Sequence, residues 1–368
     1  MTRGPYLTAI DGDPMHHSVT IVAHTGDDVG RVLFVGNRIF DRERLGDGLL
    51  QRVDGTDQRA LTLLLDADHR GSYQLAFETD GALGSVADLA ARADADPLNP
   101  DRIPMRWTSA QASVLELPGA APSRWSPVPA ATPRGLTTTI RWGGDDLVSA
   151  RDVYLYRTPT DEVETGVLVL SDGDMWFGKA GLARQLDAMA AAGDIGGLTV
   201  VAPSAVDVAT RWAELSAQDG YADFLAAQSV RFATELGPVS DAPERWAIAG
   251  QSLGGLTALH TSVRHPDVFG RVIAQSPSLW WRPGSPHRVR LDAGPPWLGS
   301  HLATAAAHQR FRIDVGSYEG PMVDLARQAE AVLVEAGAGV EVTEYRGGHD
   351  HACWRVHLLD SIKEFFCV

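Results

Sequence analysis

The chain has 368 residues, is 44% apolar and carries a formal charge of -15, with 47 acidic against 32 basic residues. That size and apolar content fit a soluble globular protein of two domains, or one large α/β domain with an appendage, and exclude a disordered chain. The acidic balance argues against a nucleic-acid binder and against a basic membrane-surface protein, although a small basic pocket can sit on an acidic surface.

The first third reads as short β-rich runs, "HHSVTIVAHTG", "GRVLFVGNR", "RALTLLLDADH" and "GSYQLAFETDG", separated by Gly, Asp and Asn turn residues. This rhythm predicts a small antiparallel sandwich over residues 1–125. "DPLNPDRIPMRW", residues 96–107, reads as a loop at its end, and the proline-rich stretch 117–135 as the linker. From about residue 136 the pattern changes. "GLTTTIRW" and "ARDVYLYRTP" predict an antiparallel pair. Buried strands then alternate with amphipathic helices through "TGVLVLSDGD", "GLTVVAPS", "RWAIAG", "GRVIAQSPS", "FRIDVGSYE" and "VEVTEYRGG", up to a last helix in "WRVHLLDSIKEFF". Continuous apolar strands between helices mean a mostly parallel sheet covered on both faces, an α/β catalytic domain over residues 126–368.

The two cysteines, Cys353 and Cys367, form neither a disulfide framework nor a metal-ligand spacing. The N-terminus lacks an apolar leader pattern and no stretch reaches the length of a membrane span, so a cytoplasmic protein is expected, with no membrane and no nucleic-acid partner.

"Gly250-Gln251-Ser252-Leu253-Gly254" fits G-x-S-x-G between a strand and a helix. In that context the serine stands at the tip of a strained turn with its hydroxyl above the sheet, and glycines flank it because side chains there would collide. The bland alternative is a serine that merely caps the helix. A serine hydroxyl needs an adjacent base. His349, directly after two glycines in "RGGHDHACW", is the first choice, and His351 the rival. The acid is expected after the preceding strand, in "FRIDVGSYEG". Glu319 lies past the strand end, where α/β sites are built, and Asp314 is the alternative inside the strand. The backbone N–H of Leu253 at the helix start can donate to an oxyanion, and a second donor is expected in Gly173 to Trp176, with Gly173 the first candidate.

Several segments in order resemble the enterochelin (enterobactin) esterase family of the esterase-D-like α/β-hydrolases. They are "DPLNP", "SVLELPGAAPSRW", "SDGDMWF", "RWAEL", "AGQSLGGLTAL", "QSPSLWW" and "GGHDHACWR". The resemblance spans nearly the whole chain. It implies an immunoglobulin-like N-terminal sandwich joined to an α/β-hydrolase domain, and a cytosolic serine esterase that cuts the trilactone backbone of a ferric catecholate siderophore. Nucleophile, acid and base then fall on Ser252, Glu319 and His349. No cofactor and no metal of the protein's own are implied, since iron arrives with the substrate. A monomer or weak homodimer is expected.

An anionic, aromatic substrate calls for arginines and rings, because guanidinium groups pair with anionic oxygens and stack on π-faces. The candidates are Trp176 and Arg211 first, then Trp281, Arg282, His351 and Trp354, with Trp280 and Arg355 behind them. Each could equally be structural. Two rival functions keep parts of this reading: a feruloyl or carbohydrate esterase with the same triad, and an inactive siderophore-binding protein.

Overall fold

The computed structural model describes residues 4–26, 28–40, 42–79, 84–145, 148–285 and 294–367. The chain forms two compact units. One is Met1–Pro122 with the short segments Gly316–Glu319 and Tyr345–Cys353. The other is Ser123–Val315, Gly320–Glu344 and Trp354–Val368.

The first unit is an antiparallel sandwich. Its strands are β1 (Tyr6–Ile10), β2 (Asp13–His24), β3 (Val32–Gly36), β4 (Gln51–Arg52), β5 (Gln58–Asp66), β6 (Arg70–Phe77), β7 (Arg102–Pro104) and β8 (Gln111–Glu116), with the short α-helix α1 (Val86–Ala90). They pair as β1-β2-β5-β4 and β3-β6-β8-β7. Alternate residues point inward, as a strand's period of two requires. Val19, Ile21 and Ala23 of β2 and Leu63 and Leu65 of β5 meet Val32, Phe34, Tyr73, Leu75 and Leu115 in one core. The stretch 96–107, expected to be a loop, contains β7, which pairs with β8. β7 lies on an edge of its sheet, and an edge position tolerates a proline that cannot donate.

The second unit is built on an eight-stranded sheet in the order β16-β15-β14-β13-β11-β12-β10-β9. Its strands are β9 (Leu136–Trp142), β10 (Arg151–Arg157), β11 (Gly166–Leu170), β12 (Leu198–Pro203), β13 (Trp246–Gln251), β14 (Arg271–Gln275), β15 (Arg310–Gly316) and β16 (Gly339–Tyr345). β9 and β10 form the expected antiparallel pair, and β12-β11-β13-β14-β15 run parallel. The helices are α2 (Gly173–Met175), α3 (Leu182–Ala191), α4 (Val208–Glu214), α5 (Asp219–Thr234), α6 (Leu253–Arg264), α7 (Gly299–Leu302), α8 (Pro321–Glu335) and α9 (His351–Phe366). The central strands β11, β12 and β13 are buried along their whole length, which is why they read as unbroken apolar runs. Chain order reverses around β11: the crossover to β12 goes one way, and the next crossover returns to β13 on the other side. Loops leaving the carboxyl ends of β11 and β13 therefore part in opposite directions, and such a switch point leaves a crevice for a ligand.

Candidate active site

Ser252 sits between β13 and α6 with φ 60° and ψ -118°. A non-glycine residue there stores about 1–3 kcal/mol of strain, which surrounding structure must hold in place. A Cβ on Gly250 would overlap the backbone of Gly254. One on Gly255 would lie 3.1 Å from Pro277 Cα. Gly250 is thus demanded by backbone against backbone, and Gly255 sits in tight backbone contact. Ser252 makes no side-chain cap to its helix, so capping does not explain the serine. Its Oγ lies 3.3 Å from the Ser278 Oγ, its N–H donates to the Gln275 carbonyl at 2.9 Å, and its carbonyl accepts from Ser278 N–H at 3.0 Å. Leu253 opens α6, where the first N–H groups have no partner within the helix.

The loop after β11 lies beside this turn. A Cβ on Gly254 would come within 3.1 Å of Ser171 Cβ, a tight contact, and one on Gly173 would overlap the Ala202 carbonyl, so Gly173 needs glycine. Asp172 adopts left-handed φ 69° and is 3% exposed. Arg211 holds its carboxylate with Nε at 3.0 and 3.2 Å and Nη2 at 2.8 Å, and donates from Nη2 to the Gln251 carbonyl at 3.2 Å. Beneath the turn runs a buried amide chain. Trp176 Nε1 donates to Gln251 Oε1 at 2.9 Å, Gln251 Nε2 to Gln275 Oε1 at 2.9 Å, and Gln275 Nε2 to Asp314 Oδ2 at 3.0 Å and to the Trp354 carbonyl at 3.1 Å.

Glu319 and His349 are brought together: Glu319 Oε2 lies 2.6 Å from His349 Nδ1. Glu319 is 1% exposed, and its other oxygen accepts from Gly316 N–H at 2.8 Å and from the Tyr345 hydroxyl at 3.4 Å. An ionised carboxylate can only accept, so in this pairing Nδ1 is the nitrogen that donates. Asp314, the alternative acid, is fully buried inside β15. One of its oxygens accepts from Gln275, and the other has no partner among the described residues. Burial pushes its carboxyl up to about 7. Ser252, Glu319 and His349 follow the ends of β13, β15 and β16 respectively.

The expected ligand contacts fare less well. Trp176 is 0% exposed, in a π-helical turn, and its N–H is taken by Gln251, so it belongs to the floor of the serine turn. Trp354 and Trp281 are buried too. The first donates to Ser276 Oγ at 2.9 Å, and the second stands edge-on to Trp297 at 5.2 Å. Trp280 is buried beside Trp212, and Arg355 lies over the Trp125 ring. Large rings with one polar atom bury readily once that atom has a partner. Arg211 sits on helix α4, and it is engaged by Asp172. Arg282 is exposed, and His351 is partly exposed at the first residue of α9. Asp172, Gln275, Ser278 and Tyr345 were not foreseen. Gln251 carried a readable signal: an amide inside an otherwise apolar strand, in need of buried partners.

The esterase family model matches residues 148–365, and the model for the enterochelin esterase N-terminal domain matches residues 22–126. The iron(III) salmochelin esterase of Escherichia coli O6:H1 is 31% identical over 97% of this chain and 90% of its own length. The iron(III) enterobactin esterase of Dickeya dadantii is 31% identical over 89% of this chain and 81% of its own. Among solved structures, the ferric enterobactin esterase of Salmonella typhimurium superposes with a TM-score of 0.86 at 25% identity, covering 98% of this chain and 96% of that one. With the strained serine between strand and helix, these likenesses make the chain a carboxylic ester hydrolase that belongs to the enterochelin esterase family.

Proposed function

We propose that this enzyme hydrolyses the trilactone backbone of a ferric catecholate siderophore, through Ser252 as nucleophile, His349 as base and Glu319 as the acid that orients it. The relatives named iron(III) salmochelin and enterobactin esterases support the substrate class. The observation that carries the chemistry is the Ser252 turn, whose left-handed backbone has no capping purpose. In this reading His349 Nε2 takes the Ser252 proton as the hydroxyl attacks a backbone ester carbonyl. Glu319 keeps the imidazole in the required tautomer and stabilises its charged form. The N–H groups of Leu253 and Gly173 receive the developing oxyanion, a contribution of about 10²–10³ in rate per donor. His349 then protonates the leaving seryl hydroxyl, and water releases the acyl group from Ser252. The iron enters as part of the substrate, and each opened ester weakens chelation. The proposal places this reaction in the cytoplasm, where released iron is used.

The test compares kcat/KM for ferric enterobactin with that for a feruloyl ester. A preference of at least about a hundredfold for the siderophore is expected, because discrimination of that size needs a site shaped for the whole ligand. Equal rates, or a preference for the feruloyl ester, would overturn the substrate assignment while leaving the serine chemistry standing.

A further inference from the structure

The turn bearing Glu319 and the loop bearing His349 pack into the first unit, with the sandwich. Asn37, the residue after β3, donates from Nδ2 to the His349 carbonyl at 2.9 Å, while its own N–H is tied to the Ser72 carbonyl at 3.0 Å. Ser72 N–H donates to the Asp350 carboxylate, which also accepts from Ala352 N–H at the start of α9. Arg70 of β6 is bound on both sides: its N–H donates to the Arg346 carbonyl at 2.9 Å, and its carbonyl accepts from Cys353 Sγ at 3.1 Å. The acid turn is held likewise. Tyr318 donates from its hydroxyl to Asp66 at 2.9 Å and from its N–H to the Gly347 carbonyl at 3.0 Å, and its ring stacks on His69 at 5.2 Å.

The glycines before His349 fit this packing. A Cβ on Gly347 would overlap the Arg70 carbonyl. One on Gly348 would lie 2.7 Å from Asn37 Oδ1 and 2.8 Å from Arg38 Cβ. Gly347 therefore admits the Arg70 backbone at close range, and Gly348 the side chains of Asn37 and Arg38.

We infer that Asn37 is a positioning residue for the catalytic base, and that the ends of β3 and β6 set the place of the His349–Glu319 pair. The inference rests on the roles given to His349 and Glu319 above. Asn37 never meets the reacting atoms. It acts by holding the histidine backbone, and displacement of a base by about an ångström costs up to roughly a hundredfold in rate.

The test uses the full chain with Asn37→Ala and Asn37→Asp, the second keeping the shape and losing the donor. Substrates are ferric enterobactin and a p-nitrophenyl ester. For both variants kcat is expected to fall roughly tenfold with KM within about twofold, and labelling of Ser252 by a fluorophosphonate to slow by the same factor. Arg31→Ala serves as the control. It breaks the Arg31–Glu78 ion pair of the same sandwich, touches neither segment, and should lower the melting temperature while leaving kcat alone. Gly348→Ala approaches the same contact from the other side and should lower kcat in the same way. Unchanged kcat in the Asn37 variants, or an equal loss in Arg31→Ala, would overturn the inference. Full activity in Ser252→Ala or His349→Ala would instead overturn the catalytic reading on which it rests.

Discussion

Two carboxyl groups near the ends of the same strand have opposite surroundings. Glu319 meets an imidazole at 2.6 Å and accepts from a backbone N–H at 2.8 Å. Asp314 is buried with one neutral donor, and its carboxyl is held at about 7 instead of 3.8. Glu319→Gln is therefore expected to lower kcat by about 10³ or more, as loss of the orienting acid does in related triads, and Asp314→Asn to leave it within a few-fold. Steady-state kinetics on a p-nitrophenyl ester decide this, and the reverse ranking would reassign the acid. Asp314 also makes a prediction about stability. Its folded pKa is raised, so the protonated form belongs to the native state and its contribution is full below about pH 4. It is lost as pH rises through 7, with a slope of at most about 1.4 kcal/mol per pH unit. Urea midpoints of Asp314→Asn should thus gain on those of the parent between pH 5 and pH 8. A constant difference would contradict this. At this scale the placement of Ser252, Glu319 and His349 after strand ends was readable, because each lies in a glycine-marked turn. The burial of the tryptophans was not readable, because a ring beside a motif looks alike whether it faces ligand or core.

At the scale of elements, the turns after β11 and β13 are held by one ion pair. Arg211 and Asp172 are 15% and 2% exposed at their side chains, and breaking such a pair leaves a buried carboxylate, at a cost of about 3–5 kcal/mol. Arg211→Ala should therefore lower the melting temperature markedly, and Arg211→Lys should recover little, since an ammonium cannot reproduce the two-armed contact. Calorimetry distinguishes this from a ligand contact, whose loss would raise KM at unchanged melting temperature. The elements themselves were largely legible from β9 onward, because buried parallel strands and amphipathic helices have different periods. Two edge strands of the sandwich were not. β1 is mostly exposed, so it lacks a buried alternation, and β7 is three residues ending in proline. α9 begins at His351, three residues before the apolar pattern that announced it, because the Asp350 carboxylate caps its start.

For the whole molecule, composition and rhythm revealed a β-rich part followed by an α/β part, and the proline-rich stretch between them. They could not reveal that residues 316–319 and 345–353 return to the first unit, since that depends on contacts between residues some 280 positions apart, such as Cys353 with Arg70. Among the described residues no helix is long and apolar enough to cross a membrane. The central claim is that Ser252 cleaves the ester backbone of a ferric catecholate siderophore. The most direct test is mass spectrometry of the products after mixing ferric enterobactin with the protein, beside Ser252→Ala. Linear trimer, dimer or monomer fragments with the parent, and intact trilactone with the variant, are the predicted result. Intact trilactone with both proteins, or equal fragmentation by both, would contradict the account.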